Sequence, residues 1–247
     1  MPQGRGWGYA GICSPLDSLR RFGRGYLFQG GRMPTEPTPK RTIVFFDGQN
    51  LFHAALSAFG YKYPNYDPVA LAKAVCQPRG WTVQEIHFYT GIHAAARDPF
   101  WHGFWTNKLA VMGARGAKVI SRPLRYRNRT VDLPGGKQFT FPTAEEKGID
   151  VRIAVDLIRG AHHNRYDVGL VFSQDQDLAE VAEEIRCIAQ EQNRWIKLAS
   201  AFPVGPTYSN RRGVNKTDWI TIDRNLYDSC IDPRDYRPGK THGGGTP

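Results

Sequence analysis

Residues Val168 to Leu178 read Val-Gly-Leu-Val-Phe-Ser-Gln-Asp-Gln-Asp-Leu, and no other stretch narrows the fold so far. A continuous apolar run stops at a serine and two carboxylates spaced one residue apart. Leu178, Val181, Ala182, Ile185 and Ile188 then follow at helical spacing. That order reads as a buried strand, a tight turn and a helix. The turn sets Asp175 and Asp177 at the carboxyl end of a strand, the edge where open α/β sheets keep their chemistry.

The rest of the chain repeats this rhythm. Arg41 to Phe46 is a β-type run ending in Asp47-Gly48-Gln49-Asn50, with helical spacing from Leu51 to Phe59. A helix is expected from Asp67, with Pro68 in its first turn. Val83 to Tyr89 is a strand, Pro99 to about Ala114 a helix, and Ala117 to Ser121 a short strand. Arg122 to Pro142 breaks the pattern as a β-hairpin, with a basic first arm, a turn at Pro134-Gly135-Gly136 and an aromatic return. A helix to about Gly160 precedes the central strand, and Trp195 to Ala201 is the fifth strand. Five strands alternating with helices predict an α/β chain whose mostly parallel sheet is covered on both faces. One domain over residues 41–232 accounts for all of it. Residues 1–40, rich in Gly, Arg and Pro, read as a disordered basic extension or an upstream start, with Met33 the alternative beginning; 233–247 read as a flexible Gly-rich tail.

Composition adds bounds. The net charge of +10 favours a polyanionic partner, but residues 1–41 hold seven Lys/Arg against two acids, so the body is only moderately basic. No run of about 18 apolar residues is present to span a bilayer. Cys13, Cys76, Cys187 and Cys230 are scattered without a CxxC pair, which argues against a zinc site or a disulfide framework. Reduced thiols suit a cytoplasmic protein.

In a parallel sheet, strand carboxyl ends and helix amino ends share one edge. Asp47, Asp175 and Asp177 end strands there. Asp150 sits in the first turn of its helix, in phase with Ile153, Ala154 and Leu157. Four carboxylates from three stretches are thus expected together, a cluster that is strongly repulsive without a counter-ion. Oxygen donors with no His or Cys grouping select Mg²⁺ or Mn²⁺ over zinc. Carboxylate-held metal beside basic side chains is suited to hydrolysing phosphodiesters.

Phe46-Asp47-Gly48-Gln49-Asn50-Leu51, Glu146-Lys147-Gly148-Ile149-Asp150-Val151 and Ser173-Gln174-Asp175-Gln176-Asp177-Leu178 resemble, in order and spacing, the three signatures of the LabA-like NYN branch of the PIN-like nucleases. The resemblance covers about residues 41–230. It implies a three-layer α/β/α PIN-like fold and a Mg²⁺- or Mn²⁺-dependent ribonuclease site of Asp47, Asp150, Asp175 and Asp177. Asn50 would support the first acid, Ser173 the turn, and Lys147 would contact substrate phosphate. One departure is Gln174, where many members carry Gly; it puts the turn geometry and the access to the site in question.

Plainer readings exist for each part. Asp177 with Glu180 fits a capping box, and Asp47 before Gly48 fits a turn. Arg122, Arg125, Arg127, Arg129 and Lys137 are either an RNA-binding arm, with aromatics interleaved for stacking, or a solvated edge that discourages strand pairing. Asp156 reads as solvated or ion-paired, and the tryptophans, Trp219 included, as core. The rival function is a non-catalytic RNA-binding module of the same fold. A phosphatase with an aspartate nucleophile ranks last, because the second acid it wants falls on Gln49. A homo-oligomer or a regulatory protein partner stays open.

Overall fold

A computed structural model describes residues 34–206 and 208–239. The expectations for residues 1–33 and 240–247 lie outside the described residues. β1 (Lys40–Asp47) leads into α1 (Gly48–Phe59) and α2 (Pro68–Cys76). β2 (Trp81–Ile92), α3 (Pro99–Ala114) and β3 (Lys118–Pro123) follow. β4 (Arg125–Leu133) and β5 (Lys137–Glu145) form a separate antiparallel hairpin. α4 (Ile149–His162), β6 (Val168–Phe172), α5 (Ala179–Glu191), β7 (Lys197–Pro203), β8 (Asp218–Ile222) and α6 (Arg224–Asp228) complete the described chain.

The main sheet has six strands in the order β3-β2-β1-β6-β7-β8, every neighbouring pair parallel. β1 and β6 lie at its centre, which explains why Val168–Phe172 is apolar throughout and wholly buried. Alternate residues serve opposite layers. Val44, Phe46, Leu170 and Phe172 pack with Leu51, Leu71 and Phe104 of α1, α2 and α3. Ile43, Phe45 and Val171 pack with Ile153 and Leu157 of α4 and with Val181 and Ile185 of α5. The result is the expected three-layer α/β/α arrangement.

Helix starts are capped by residues that also end strands or turns. Asp67 accepts from the amides of Val69 and Ala70 with Pro68 behind it, and Asp98 accepts from Trp101 with Pro99 behind it. Asp47 does the same for α1.

The sheet exceeds the expected five strands by one. β8 escapes a sequence reading because it is a five-residue edge strand with two buried positions, Ile220 and Ile222. Trp219 on it is 46% exposed rather than core. β2 is longer than its apolar centre suggests, and Arg122 belongs to β3 instead of the hairpin. Packing also continues past residue 232. Tyr236 is buried against Phe104, and the buried Lys108 ammonium stands 4.8 Å from its ring while donating to the Tyr66 carbonyl. Burial pushes Lys108 down to about 8. Among the described residues no helix is long and apolar enough to cross a membrane.

Candidate active site

The chain leaves β1 toward β2 and β3 on one side, and leaves β6 toward β7 and β8 on the other. The carboxyl ends of β1 and β6 therefore flank the switch point of the sheet, the position at which open α/β folds keep their ligand sites. Asp47 ends β1 and caps α1. Its Oδ1 accepts from the Asn50 amide at 3.0 Å and its Oδ2 from the Ser173 hydroxyl at 3.2 Å. Ser173 in turn accepts from the Asp175 amide at 3.1 Å, and the Asn50 side chain accepts from the Gln174 amide at 2.9 Å. Asn50 and Ser173 thus stitch the β1 and β6 turns into one unit.

Electrostatics mark the centre of this unit. Asp47 is 6% exposed, and burial pushes its carboxyl up to about 6. The bonds from Asn50 and Ser173 pull the other way, while the fields of Asp175 and Asp150 add to the rise. Asp150 is half-buried in the first turn of α4. Asp175 is half-buried and caps the short 3-10 turn Gln176–Leu178, its carboxylate accepting from the Asp177 amide. The cap is therefore Asp175, not the expected Asp177, because a 3-10 turn intervenes before α5. Asp177 lies exposed on that turn, and Lys147 is exposed as well. Of the four acids the sequence singled out, the structure couples Asp47, Asp150 and Asp175 and leaves Asp177 at the rim.

Glu146 is the acid the sequence reading missed. Its Oε2 accepts from the Gly91 amide at the end of β2. Burial pushes it up to about 7, and the charges of Asp47 and Asp150 add to that. Its neighbourhood to Lys147-Gly148 in the second signature was the available signal, but its burial depends on Gly91, 55 residues upstream.

Gln174 answers the question of turn geometry. Its side-chain amide donates to the carbonyls of Arg212 at 2.8 Å and Asn210 at 3.2 Å, and its oxygen accepts from the Tyr208 hydroxyl at 3.0 Å. Gln176 grips the same segment through Gly213 and Asn215. The residue that departs from the usual glycine is consumed in clamping this loop, which brings Arg211 and Arg212, both exposed, beside the β6 turn.

Gly148 fixes the entry to α4 with φ +77°, and a Cβ there would stand 2.6 Å from the Arg122 guanidinium. Gly148→Ala should cost about 1–2 kcal/mol from the left-handed backbone, a fall in melting temperature of roughly 2–8 °C for a domain of this size. An unchanged melting curve would contradict that geometry.

The site suits a hard cation in its donor chemistry, since the surrounding acids offer oxygen only. Among the described residues, however, no three His, Cys, Asp or Glu side chains stand close enough to hold an ion together. The expected four-carboxylate cage is not formed by side chains alone. Mg²⁺ commonly keeps several waters and takes one or two carboxylates plus substrate phosphate, and the buried Asp47 beside Asp150 and Asp175 fits that mode.

A family model described as NYN domain matches residues 41–198. The chain belongs to the NYN domain family. This family is one of RNase-like nucleases and is consistent with placement in the PIN-like superfamily. The match spans all three acidic stretches of the NYN domain and stops at β7, so β8, α6 and the loop clamped by Gln174 lie beyond it. No curated protein matches the chain. Among solved structures, the NYN chain is similar to a protein of unknown function, VPA0982, from Vibrio parahaemolyticus RIMD 2210633 (18% identity, TM-score 0.49, covering 80% of this chain and 99% of that one). It is also similar to Acinetobacter baumannii MurG (12% identity, TM-score 0.28, covering 74% of this chain and 45% of that one).

Proposed function

We propose that this NYN domain is an endoribonuclease that hydrolyses RNA phosphodiester bonds with Mg²⁺ or Mn²⁺. The observation that carries the reading is Asp47: a buried carboxylate at the sheet switch point, held by Ser173 and Asn50 and exposed to the fields of Asp150 and Asp175. Asp47, Asp150 and Asp175 would hold the ion, with Asp177 at the rim. A bound divalent ion supplies Lewis acidity toward a phosphoryl oxygen and lowers the pKa of water. Asn50 and Ser173 keep the acids in register. Lys147, Arg122 and the hairpin cations Arg125, Arg127, Arg129 and Lys137 would neutralise substrate phosphates. Glu146, pushed up to about 7, is suited to exchanging a proton near neutrality.

A second reading is an RNA-binding module without cleavage, favoured by the lack of three preassembled metal-binding side chains among the described residues. An RNA cleavage assay in Mn²⁺, in Mg²⁺ and in chelator, run beside Asp175→Asn, separates the two. Asparagine caps a turn as well as aspartate does, so the variant should fold. Cleavage is expected only with metal and should drop at least about 100-fold in the variant, a loss comparable to removing one key electrostatic group from an active site. Undiminished cutting by Asp175→Asn would sink the site assignment. Intact RNA under every condition, with binding retained, would select the second reading.

A further inference from the structure

The register of the β4–β5 hairpin sorts its side chains. Residues directly opposite in an antiparallel pair share a face, and faces alternate along each strand. Arg125, Arg127, Arg129, Lys137, Phe139 and Phe141 therefore all fall on one face, opposed there by the single acid Glu145. The other face carries no cation and one acid, Asp132. Edge protection would not require that segregation, since charges on either face discourage pairing equally.

The basic face is open. Phe139 and Phe141 stack on one another with centroids 5.8 Å apart and planes 26° apart, and Phe139 is 55% exposed. Arg127 approaches Glu145 at 3.6 Å with both side chains more than half exposed, a contact too weak to occupy the face. The opposite face meets the body only at the hairpin base, where Tyr126 and Ala144 are half-buried. The Tyr126 hydroxyl accepts from the Ala94 amide at 3.1 Å, and the Arg97 guanidinium lies over its ring. At the hairpin base, the Leu124 amide donates to the Ile92 carbonyl at 2.9 Å. Leu124 is buried over Gly91, the same residue whose amide holds Glu146. The hairpin base thus adjoins Gly91 and Glu146.

We propose that this face is a stacking platform selective for single-stranded RNA, an inference that rests on the ribonuclease reading and adds the substrate class. Unpaired bases can lie on the Phe139–Phe141 pair while Arg125, Arg127, Arg129 and Lys137 track the backbone. In a duplex the base faces are already stacked, so only the cations can act on it.

The test is fluorescence anisotropy in chelator, where no cleavage occurs, with a labelled single strand of about 12 nucleotides and its duplex; binding sites of this kind span on the order of 4–16 nucleotides. Phe139→Ala with Phe141→Ala should weaken single-strand binding at least about tenfold and leave duplex binding and the salt dependence unchanged. Arg127→Ala with Arg129→Ala should weaken both ligands and flatten the salt dependence. Circular dichroism checks that each variant is folded, and Phe139→Ala alone, at a position 55% exposed, serves as the second variant should the double one not fold. Wild-type affinity for the single strand in the phenylalanine variant, or an equal loss for the duplex, overturns the proposal. So does a change in sedimentation instead of binding, which would make the face a contact between copies. Because binding is read without metal, failure of catalysis leaves this result standing, and failure here leaves the acidic site standing.

Discussion

Asp47→Asn is expected to abolish metal-dependent RNA cleavage and, in chelator at pH 7.5, to raise the melting temperature by roughly 3–8 °C. The two effects have opposite signs because one buried charge causes both. In the folded protein the Asp47 carboxyl is pushed up to about 6 from an ordinary 3.8, first by burial. A shift of that size corresponds to about 3 kcal/mol of penalty on the ionised form, from which the weakened bond with Ser173 must be subtracted. As pH climbs from about 4 to about 6 the unfolded chain loses this proton before the folded one, so wild-type stability falls through that window and stays lower above it. Asparagine accepts from the Asn50 amide as aspartate does and carries no charge to desolvate. The gap between variant and wild type should therefore open between pH 4 and 6 and close below. Differential scanning fluorimetry across pH 4–8 in chelator measures it. Mn²⁺ should then stabilise the wild type and leave the variant unmoved. A variant that melts below wild type at pH 7.5 would show that the Asp47 charge is already compensated in the free protein.

Phe172→Ala is expected to lower stability by about 3–5 kcal/mol, the usual cost of emptying a fully buried aromatic position, with loss of cleavage following from unfolding. Phe172 and Phe46 are register partners across β6 and β1, their rings stacked with centroids 4.2 Å apart and both fully buried. Each precedes the first residue of its acidic turn, Ser173 and Asp47. The ring pair thereby sets how the two turns meet. Phe172→Leu keeps most of the volume and should cost about 1–1.5 kcal/mol, yet reduce cleavage by more than that stability loss alone would. Chemical denaturation and initial rates on the same samples test this; a rate unchanged in the folded leucine variant would mean that ring stacking does not govern the turns.

The acids at Asp47, Asp150 and Asp175 were legible because each sits at a change of periodicity, where an apolar strand gives way to a polar turn or a helix begins in phase with its apolar side. Glu146 was not, since nothing local marks it: its environment is made by Gly91 on β2. The function of Gln174 was hidden for the same reason, as its partners Tyr208, Asn210 and Arg212 lie 34 to 38 residues downstream in a loop without pattern. The plainer reading of Asp177 as a cap does not hold, because a 3-10 turn capped by Asp175 precedes α5 and the two kinds of turn share one sequence signature. The hairpin was visible from its turn and its alternation, but which side chains share a face required the register.

The bond between Ser173 and Asp47 joins residues 126 positions apart. β6 can take its place beside β1 only after β2, β3 and the whole hairpin have been made, because the sheet places β6 on the far side of β1. A chain emerging from the ribosome therefore displays its arginine-rich hairpin before its acidic centre exists. Pairing over such separations is slow to form. The acidic cluster is thus a late product of synthesis, assembled only once the chain has passed Asp175 and β6 has docked on β1.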